Sequence, residues 1–304
     1  MAQSALAARR RERGGVVKAL EGRRIVVTGG TSGIGQAVAA GCAEAGADVA
    51  FCGLTEESAN ETRARVEKAG GRSYFEAFDV ADLDRLTAFA RRAEEFLGGV
   101  DGLVNNAGSN FFRGVLGAQK ADLDRCFAVD FYPAWVLSKA LHPALSEREG
   151  VVVNIASVHA QHTEPGAFPY NAAKAALVAL TQSQALEWGR DGIRAVAVAP
   201  GLIETRLAHL FFGQSPDPEA ERARHMARHP IRRNGQPQDV ASLIVYLLSP
   251  ANRFLTGTTV TVDGGSEEGC PRRDECYSCF PIRWGRTRPP TATTRRCSSL
   301  CALI

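Results

Sequence analysis

Tyr170 and Lys174 stand four residues apart in a stretch with helical pattern, 170–188, so their side chains leave one face a single turn apart. A phenol with an ordinary pKa of about 10 is a poor base at neutral pH, but an ammonium a few ångströms away favours the phenolate and brings the group towards general acid and base work. Ser157 follows a Val/Ile-rich run, 151–155, and lies thirteen positions before Tyr170. Its hydroxyl can polarise a carbonyl and steady the oxyanion that develops there. Each residue has a plainer reading: Tyr170 as a half-buried aromatic, Lys174 on a solvated helix face, Ser157 as an N-cap. Together they point to proton transfer at a carbonyl or alcohol oxygen.

A second constellation lies upstream. Thr28-Gly29-Gly30-Thr31-Ser32-Gly33-Ile34-Gly35 follows the first strand candidate and opens a helix expected over 36–45. Glycines there permit a tight turn, let backbone approach a pyrophosphate and allow helix to pack on strand, while the helix N-terminus offers N–H groups to the anion. Taken alone, such a turn is also a common strand-to-helix connection.

The elements that must position these residues alternate regularly. Strand candidates at 25–27, 49–52, 73–78, 102–105, 151–155, 194–199 and 259–262 are separated by amphipathic stretches. This is the signature of βαβ units, and it predicts an α/β, Rossmann-like doubly wound parallel sheet of about seven strands in a single domain, 24–265. Residues 202–236 break the rhythm directly after Pro200-Gly201 and read as a substrate lid.

With these motifs in order, the chain resembles the short-chain dehydrogenase/reductase family over residues 20–265. Thr28, Gly29, Gly33 and Gly35 match its cofactor turn, Asn105-Asn106-Ala107-Gly108 its motif after the fourth strand, Asp79-Val80 its adenine-contacting pair, and Pro200-Gly201 with Thr205 its nicotinamide segment. The resemblance implies NAD or NADP as cofactor, held also by Ser32, Ile34, Tyr170 and Lys174. It implies hydride transfer between that cofactor and an alcohol or carbonyl, with Ser157, Tyr170 and Lys174 as the catalytic set. A ketone or 3-oxoacyl thioester reductase fits this description. Two other readings stay open: a non-catalytic sensor or scaffold that only binds cofactor, and an epimerase that uses it transiently.

The family also implies a pocket lined by Asn110, Phe112, Ser157, His159, Phe168 and His209, mostly apolar and suited to a mid-sized carbonyl compound. His159 and His162 lack a nearby carboxylate pair, so no metal site is expected. The end of the second strand, which separates NAD from NADP, is silent, because Gly53 and Leu54 occupy the deciding positions. One position departs from the family. Its fourth helix usually carries Val-Asn, where this chain has Val129-Asp130. Asp130 is of similar size and joins the candidate site, but a buried carboxylate there would need a partner such as Lys174, and the pair would work against activation of Tyr170.

Composition bounds the rest. Of the net charge of +3, the ends carry the positive part, with seven basic against two acidic residues in 1–24 and seven against four in 266–304, which leaves −5 for the body. An acidic body argues against nucleic acid as a partner. No apolar run approaches the ~20 residues of a membrane span and the N-terminus lacks a secretory pattern, so no membrane partner and a soluble, cytoplasmic protein are expected. Cys42, Cys52 and Cys126 fit a reducing compartment. A basic arm at 1–23 and a Cys/Arg/Pro-rich tail at 266–304 are expected to lie outside the fold. The tail's Cys276, Cys279, Cys297 and Cys301 approach a zinc pattern with irregular spacing, and the tail reads as a non-native extension. The partners expected are a small-molecule substrate and copies of the same chain, as a tetramer or dimer.

Overall fold

The computed structural model describes residues 18–213 and 215–266. Seven parallel strands form one sheet in the order β3-β2-β1-β4-β5-β6-β7: β1 (Arg24–Thr28), β2 (Asp48–Gly53), β3 (Ser73–Ala77), β4 (Gly102–Asn105), β5 (Val151–Ile155), β6 (Arg194–Pro200) and β7 (Thr259–Val262). The register pairs Val27 with Phe51 on one side and with Val104 on the other. Strand order reverses between β1 and β4, so the C-terminal ends of these two strands diverge and open a crevice there.

Two apolar layers clamp the sheet. One face carries α1 (Gly33–Glu44), α2 (Asn60–Lys68) and α9 (Pro237–Leu248), whose Val38, Val66 and Ile244 are buried against Ile25, Phe51 and Val153. The other carries α3 (Leu83–Leu97), α4 (Lys120–Asp130), α5 (Tyr132–Ser146) and α6 (Tyr170–Trp188), with Phe89, Leu137 and Leu141 packed on Val26, Leu103 and Val152. Because both faces are covered, the inner strands read as largely continuous apolar runs, while the edge strands β3 and β7 do not. That is why the bounds of the inner strands are legible in sequence to within a residue or so.

Two boundaries differ from expectation. Helix α1 starts at Gly33 rather than 36, since Ser32 is its extended N-cap (φ −157, ψ 166). The lid holds two helices, α7 (Arg206–Phe212) and α8 (Pro218–Arg228), each capped by a side chain: Thr205 accepts from the Ala208 N–H at 3.3 Å and Asp217 from the Ala220 N–H at 3.0 Å. These caps, with Pro218 at the first turn, supply the start signals that weak apolar periodicity does not.

A buried polar chain fixes α6 against the sheet. Asn105 Nδ2 donates to Ser138 Oγ (3.0 Å) and Asn154 Oδ1 (2.8 Å), and Asn154 Nδ2 donates to Thr181 Oγ1 and Gln184 Oε1, both at 2.9 Å. Such a network admits one register of helix on strands, because a slip leaves several buried polar groups without partners. It therefore sets where the first turn of α6, with Tyr170 and Lys174, arrives.

Candidate active site

A cleft of about 1190 Å³ runs along the C-terminal edge of the sheet. One end is walled by the turn after β1. Gly29 (φ +66) and Gly33 (φ +54) adopt backbone that side-chained residues rarely do. A Cβ on Gly35 would stand 2.2 Å from the Gly29 carbonyl oxygen and 2.4 Å from Asn106 Nδ2. The turn is thus drawn tight against β4, with Thr28 Oγ1 accepting from the N–H groups of Asn106 and Ala107, both at 3.0 Å. Helix α1 then points its N-terminus into the cleft with no acidic residue in its first turn and no side-chain cap from Ser32. This backbone cradle fits the pyrophosphate of a dinucleotide. Gly35→Ala is expected to cost about 1–3 kcal/mol of stability by overpacking. Chemical denaturation reads that loss, and titration with NADH or NADPH is expected to show weakened binding.

The other end gathers the ionisable groups. Lys174 Nζ lies 3.2 Å from Asp130 Oδ1, donates to the Ile155 carbonyl at 3.1 Å and sits 5.5 Å from the centre of the Tyr170 ring. Asp130 is buried and accepts from the Ser109 N–H at 3.2 and 3.4 Å. Gly108 leaves room for this pair, since a Cβ there would meet Asp130 Oδ1 at 2.6 Å. Burial alone would lower the Lys174 pKa, but Asp130, with help from Tyr170, outweighs it and holds the ammonium above its ordinary value. Burial pushes the Asp130 carboxyl up, while Lys174 and the Ser109 N–H pull it back. For Tyr170 the sequence expectation is reversed in sign. Burial pushes the phenol above its ordinary value, and the pull of Lys174 and of a hydrogen bond with Ser157 is offset by Asp130. The phenol keeps its proton at neutral pH.

Comparison with known proteins settles the lineage of this arrangement. The family profile described as Enoyl-(Acyl carrier protein) reductase matches residues 29–267. The chain belongs to the short-chain dehydrogenase/reductase family. It is 36% identical over 248 residues to 2-(S)-hydroxypropyl-CoM dehydrogenase 3 of Xanthobacter autotrophicus, covering 81% of this chain and 97% of that protein. Among solved structures it is similar to a 7α-hydroxysteroid dehydrogenase complexed with NADH and 7-oxo glycochenodeoxycholic acid, with TM-score 0.75, 33% identity, and 81% of this chain and 94% of that one covered. A short-chain dehydrogenase of Burkholderia cenocepacia in complex with NADP matches with TM-score 0.75 and 33% identity over 82% of this chain and 99% of that one. As a short-chain dehydrogenase/reductase, the protein is an NAD(P)-dependent oxidoreductase of the alcohol/carbonyl couple.

In this family member the cleft wall collects most of the residues singled out from sequence: Gly29, Ser32, Gly33, Ile34, Asp79, Val80, Asn106, Ala107, Gly108, Asn110, Phe112, Asp130, Ser157, His159, Tyr170, Lys174, Pro200, Gly201 and Thr205. Four stand elsewhere. Thr28 and Gly35 lie behind the turn and shape it from the protein side. Phe168 stands off the wall, its carbonyl accepting from the Arg113 and Gly114 N–H groups at 2.9 and 3.0 Å. His209 is directed outward to Arg222 (3.2 Å) because α7 presents Phe211, not His209, to the cleft.

The structure adds residues with little sequence signal. Phe211 of the lid lies edge-on to Phe112 (ring centres 6.0 Å apart), which in turn lies edge-on to Tyr170 (5.2 Å) and His159 (5.8 Å). Arg228 of α8 reaches Glu164 at 3.0 Å and ties the lid to the loop after β5. Arg125 of α4 covers Asp79 at 2.7 Å. None falls in a motif, since each depends on where a surface helix lands. At the end of β2, a Cβ on Gly53 would clash with Thr31 at 2.4 Å and Leu54 is exposed, so neither sign of charge marks the ribose position. Among the described residues no group of three or more His, Cys, Asp or Glu could hold a metal ion, and no helix is long and apolar enough to cross a membrane. Cys276, Cys279, Cys297 and Cys301 lie outside the described residues.

Proposed function

We propose that the chain interconverts the carbonyl and hydroxyl of a mid-sized organic substrate, a ketone or 3-oxoacyl thioester being the class that fits, with Tyr170 transferring the proton. The convergence of Ser157, Tyr170 and Lys174 at one end of a cleft whose other end is a phosphate cradle carries this reading. Bound NAD(P)(H) would supply or accept the hydride at the substrate carbon. Gly29, Ser32, Gly33 and Ile34 would hold its pyrophosphate, Asp79 and Val80 its adenine end, and Asn106, Ala107, Gly108, Lys174, Pro200, Gly201 and Thr205 its nicotinamide half. Ser157 donates a hydrogen bond to the substrate oxygen and orients it towards the Tyr170 hydroxyl. Tyr170 delivers its proton to that oxygen or takes it back. Lys174, anchored on the Ile155 carbonyl, steadies the charge that appears on the phenol. Phe112, His159 and Phe211 shield the reacting carbon from water and favour a flat or apolar substrate body.

Ser157→Ala tests the proposal directly. Loss of one oxyanion donor is expected to lower kcat/KM about a hundredfold or more, with cofactor affinity retained. Unchanged kcat/KM would remove Ser157 from the set.

The same reading places one catalytic domain at 24–265 with its lid at 202–236. Exposed Trp135 on α5 and Leu186 on α6 support a homo-oligomer. Burial pushes the thiols of Cys42, Cys52 and Cys126 up to about 12, which keeps them unreactive and supports a cytoplasmic setting.

A further inference from the structure

We propose that Asp130 is a positioning residue: it closes a buried ion pair on Lys174 and so weakens the hold of the ammonium on the Tyr170 phenol. The inference rests on the roles proposed above for Tyr170 and Lys174.

Asp130 is the last residue of α4. The chain breaks helix at Phe131 (φ −130, ψ −58) before α5 begins at Tyr132. This break turns the carboxylate inward, over Gly108, where only a glycine leaves space. Its polar partners, the Ser109 N–H and the Lys174 ammonium, both donate. These donors favour the ionised carboxylate, against the burial that pushes the carboxyl up.

Lysine alone would present a full positive charge to the phenol. Joined to a carboxylate at 3.2 Å, it presents a dipole whose negative end opposes that charge. The other groups facing Tyr170 do not restore the imbalance. Cys126 on α4 stays a thiol, with burial pushing it up to about 12. Burial keeps His159, in the turn Val158–Ala160, neutral by lowering its pKa. Ser157, after β5, is uncharged, and the lid offers Phe211 through Phe112. Burial raises the phenol most; of the charged groups, Lys174 pulls it down and Asp130 opposes that pull.

The two directions ask for different starting forms. In reduction the carbonyl carbon gains a hydride from the reduced nicotinamide and the oxygen gains the Tyr170 proton. The C=O π pair becomes the new O–H bond, and the phenolate is refilled from water. Oxidation takes the same path in reverse from the phenolate, so the pKa of Tyr170 sets the pH at which each limb turns.

The test is a titration of cofactor-free protein, followed by the near-ultraviolet absorbance of tyrosinate, with Tyr170→Phe subtracted to isolate Tyr170. In the native protein its step is expected above that of an ordinary phenol. In Asp130→Asn, which keeps the size and the acceptor for Ser109, the step is expected about one pH unit lower or more. The alkaline fall of kcat/KM for carbonyl reduction should move down by about the same interval in that variant. Titration of native Tyr170 below the ordinary value would overturn the inference without recourse to any variant at position 130. Coincident titrations with intact turnover would overturn it and leave the proposed function standing. A shifted titration with no turnover in either protein would uphold control of the phenol by the ion pair and would overturn the proposed function alone.

Discussion

Tyr170→Phe is expected to lower kcat/KM about a thousandfold in either direction, while the affinity for NADH or NADPH stays within about threefold of native. The substitution removes one oxygen from the cleft wall and leaves the ring edge-on to Phe112 at 5.2 Å, so packing is preserved and the chemical step bears the loss. The sign of the pH dependence follows from the phenol's raised pKa. Reduction needs the protonated phenol, so its rate is level below that pKa and falls as pH rises through it. Oxidation rises over the same interval. Steady-state kinetics across the alkaline range read both limbs, and both should vanish in the variant. A Tyr170→Phe protein that keeps more than about a tenth of native kcat/KM would remove the phenol from the proton path.

Lys174→Met is expected to act on stability as strongly as on turnover. The side chain is buried, and its loss strands the Asp130 carboxylate in the interior, a change that costs about 3–5 kcal/mol for broken buried pairs. The loss should be largest at neutral pH. Without its partner, Asp130 has a carboxyl raised further by burial, and as pH falls through that raised value the group takes a proton and the cost shrinks. Adding Asp130→Asn to Lys174→Met should return most of the stability by removing the stranded charge, yet leave activity low, because the phenol still lacks its cation. Denaturation at several pH values, together with kcat/KM of the single and double variants, separates the two effects. Equal stability of the single and double variants at every pH would mean that Asp130 carries no charge once Lys174 is removed, and would contradict a stranded carboxylate.

How far these features are legible before the structure differs from element to element, for physical reasons. The strand 151–155 declares itself because Val151, Val152, Val153 and Ile155 are buried between helices on both faces, which leaves an apolar run broken only by Asn154. Tyr170 and Lys174 share a face by helical spacing alone. The two lid helices are harder to see. Their starts rest on the single capping residues Thr205 and Asp217; the first opens a helix of only 7 residues and the second runs into Arg- and Glu-rich sequence with little apolar stripe.

His209 illustrates the limit of reading a pocket from a range. The lid was expected to reach the cleft somewhere in 209–212, and the rotation of α7 brings Phe211 to Phe112 and turns His209 to solvent. Phe168 fails in the same way, since its backbone is committed to Arg113 and Gly114. Asp130 was visible as a departure with Lys174 as its natural partner. The sign of the shift on Tyr170 was not, because it is a difference between opposing fields whose sizes depend on distances of a few ångströms. The chain Asn105–Asn154–Gln184 was beyond reach for another reason: single Asn and Gln residues on separate elements carry no periodic signal until the sheet and α6 are joined.

The central claim is that this cleft couples cofactor oxidation to reduction of a carbonyl through Tyr170. The measurement that tests it most directly is oxidation of NADH and of NADPH in parallel, against ketones, thioesters and sugar carbonyls, with native protein and Tyr170→Phe side by side. The account predicts that at least one carbonyl class is reduced, mole for mole with cofactor, by the native protein, and that the rate collapses in the variant. Tight binding of cofactor by both proteins with no turnover of carbonyls, nor of the corresponding alcohols in the opposite direction, would contradict it and identify a protein that binds the cofactor without using it.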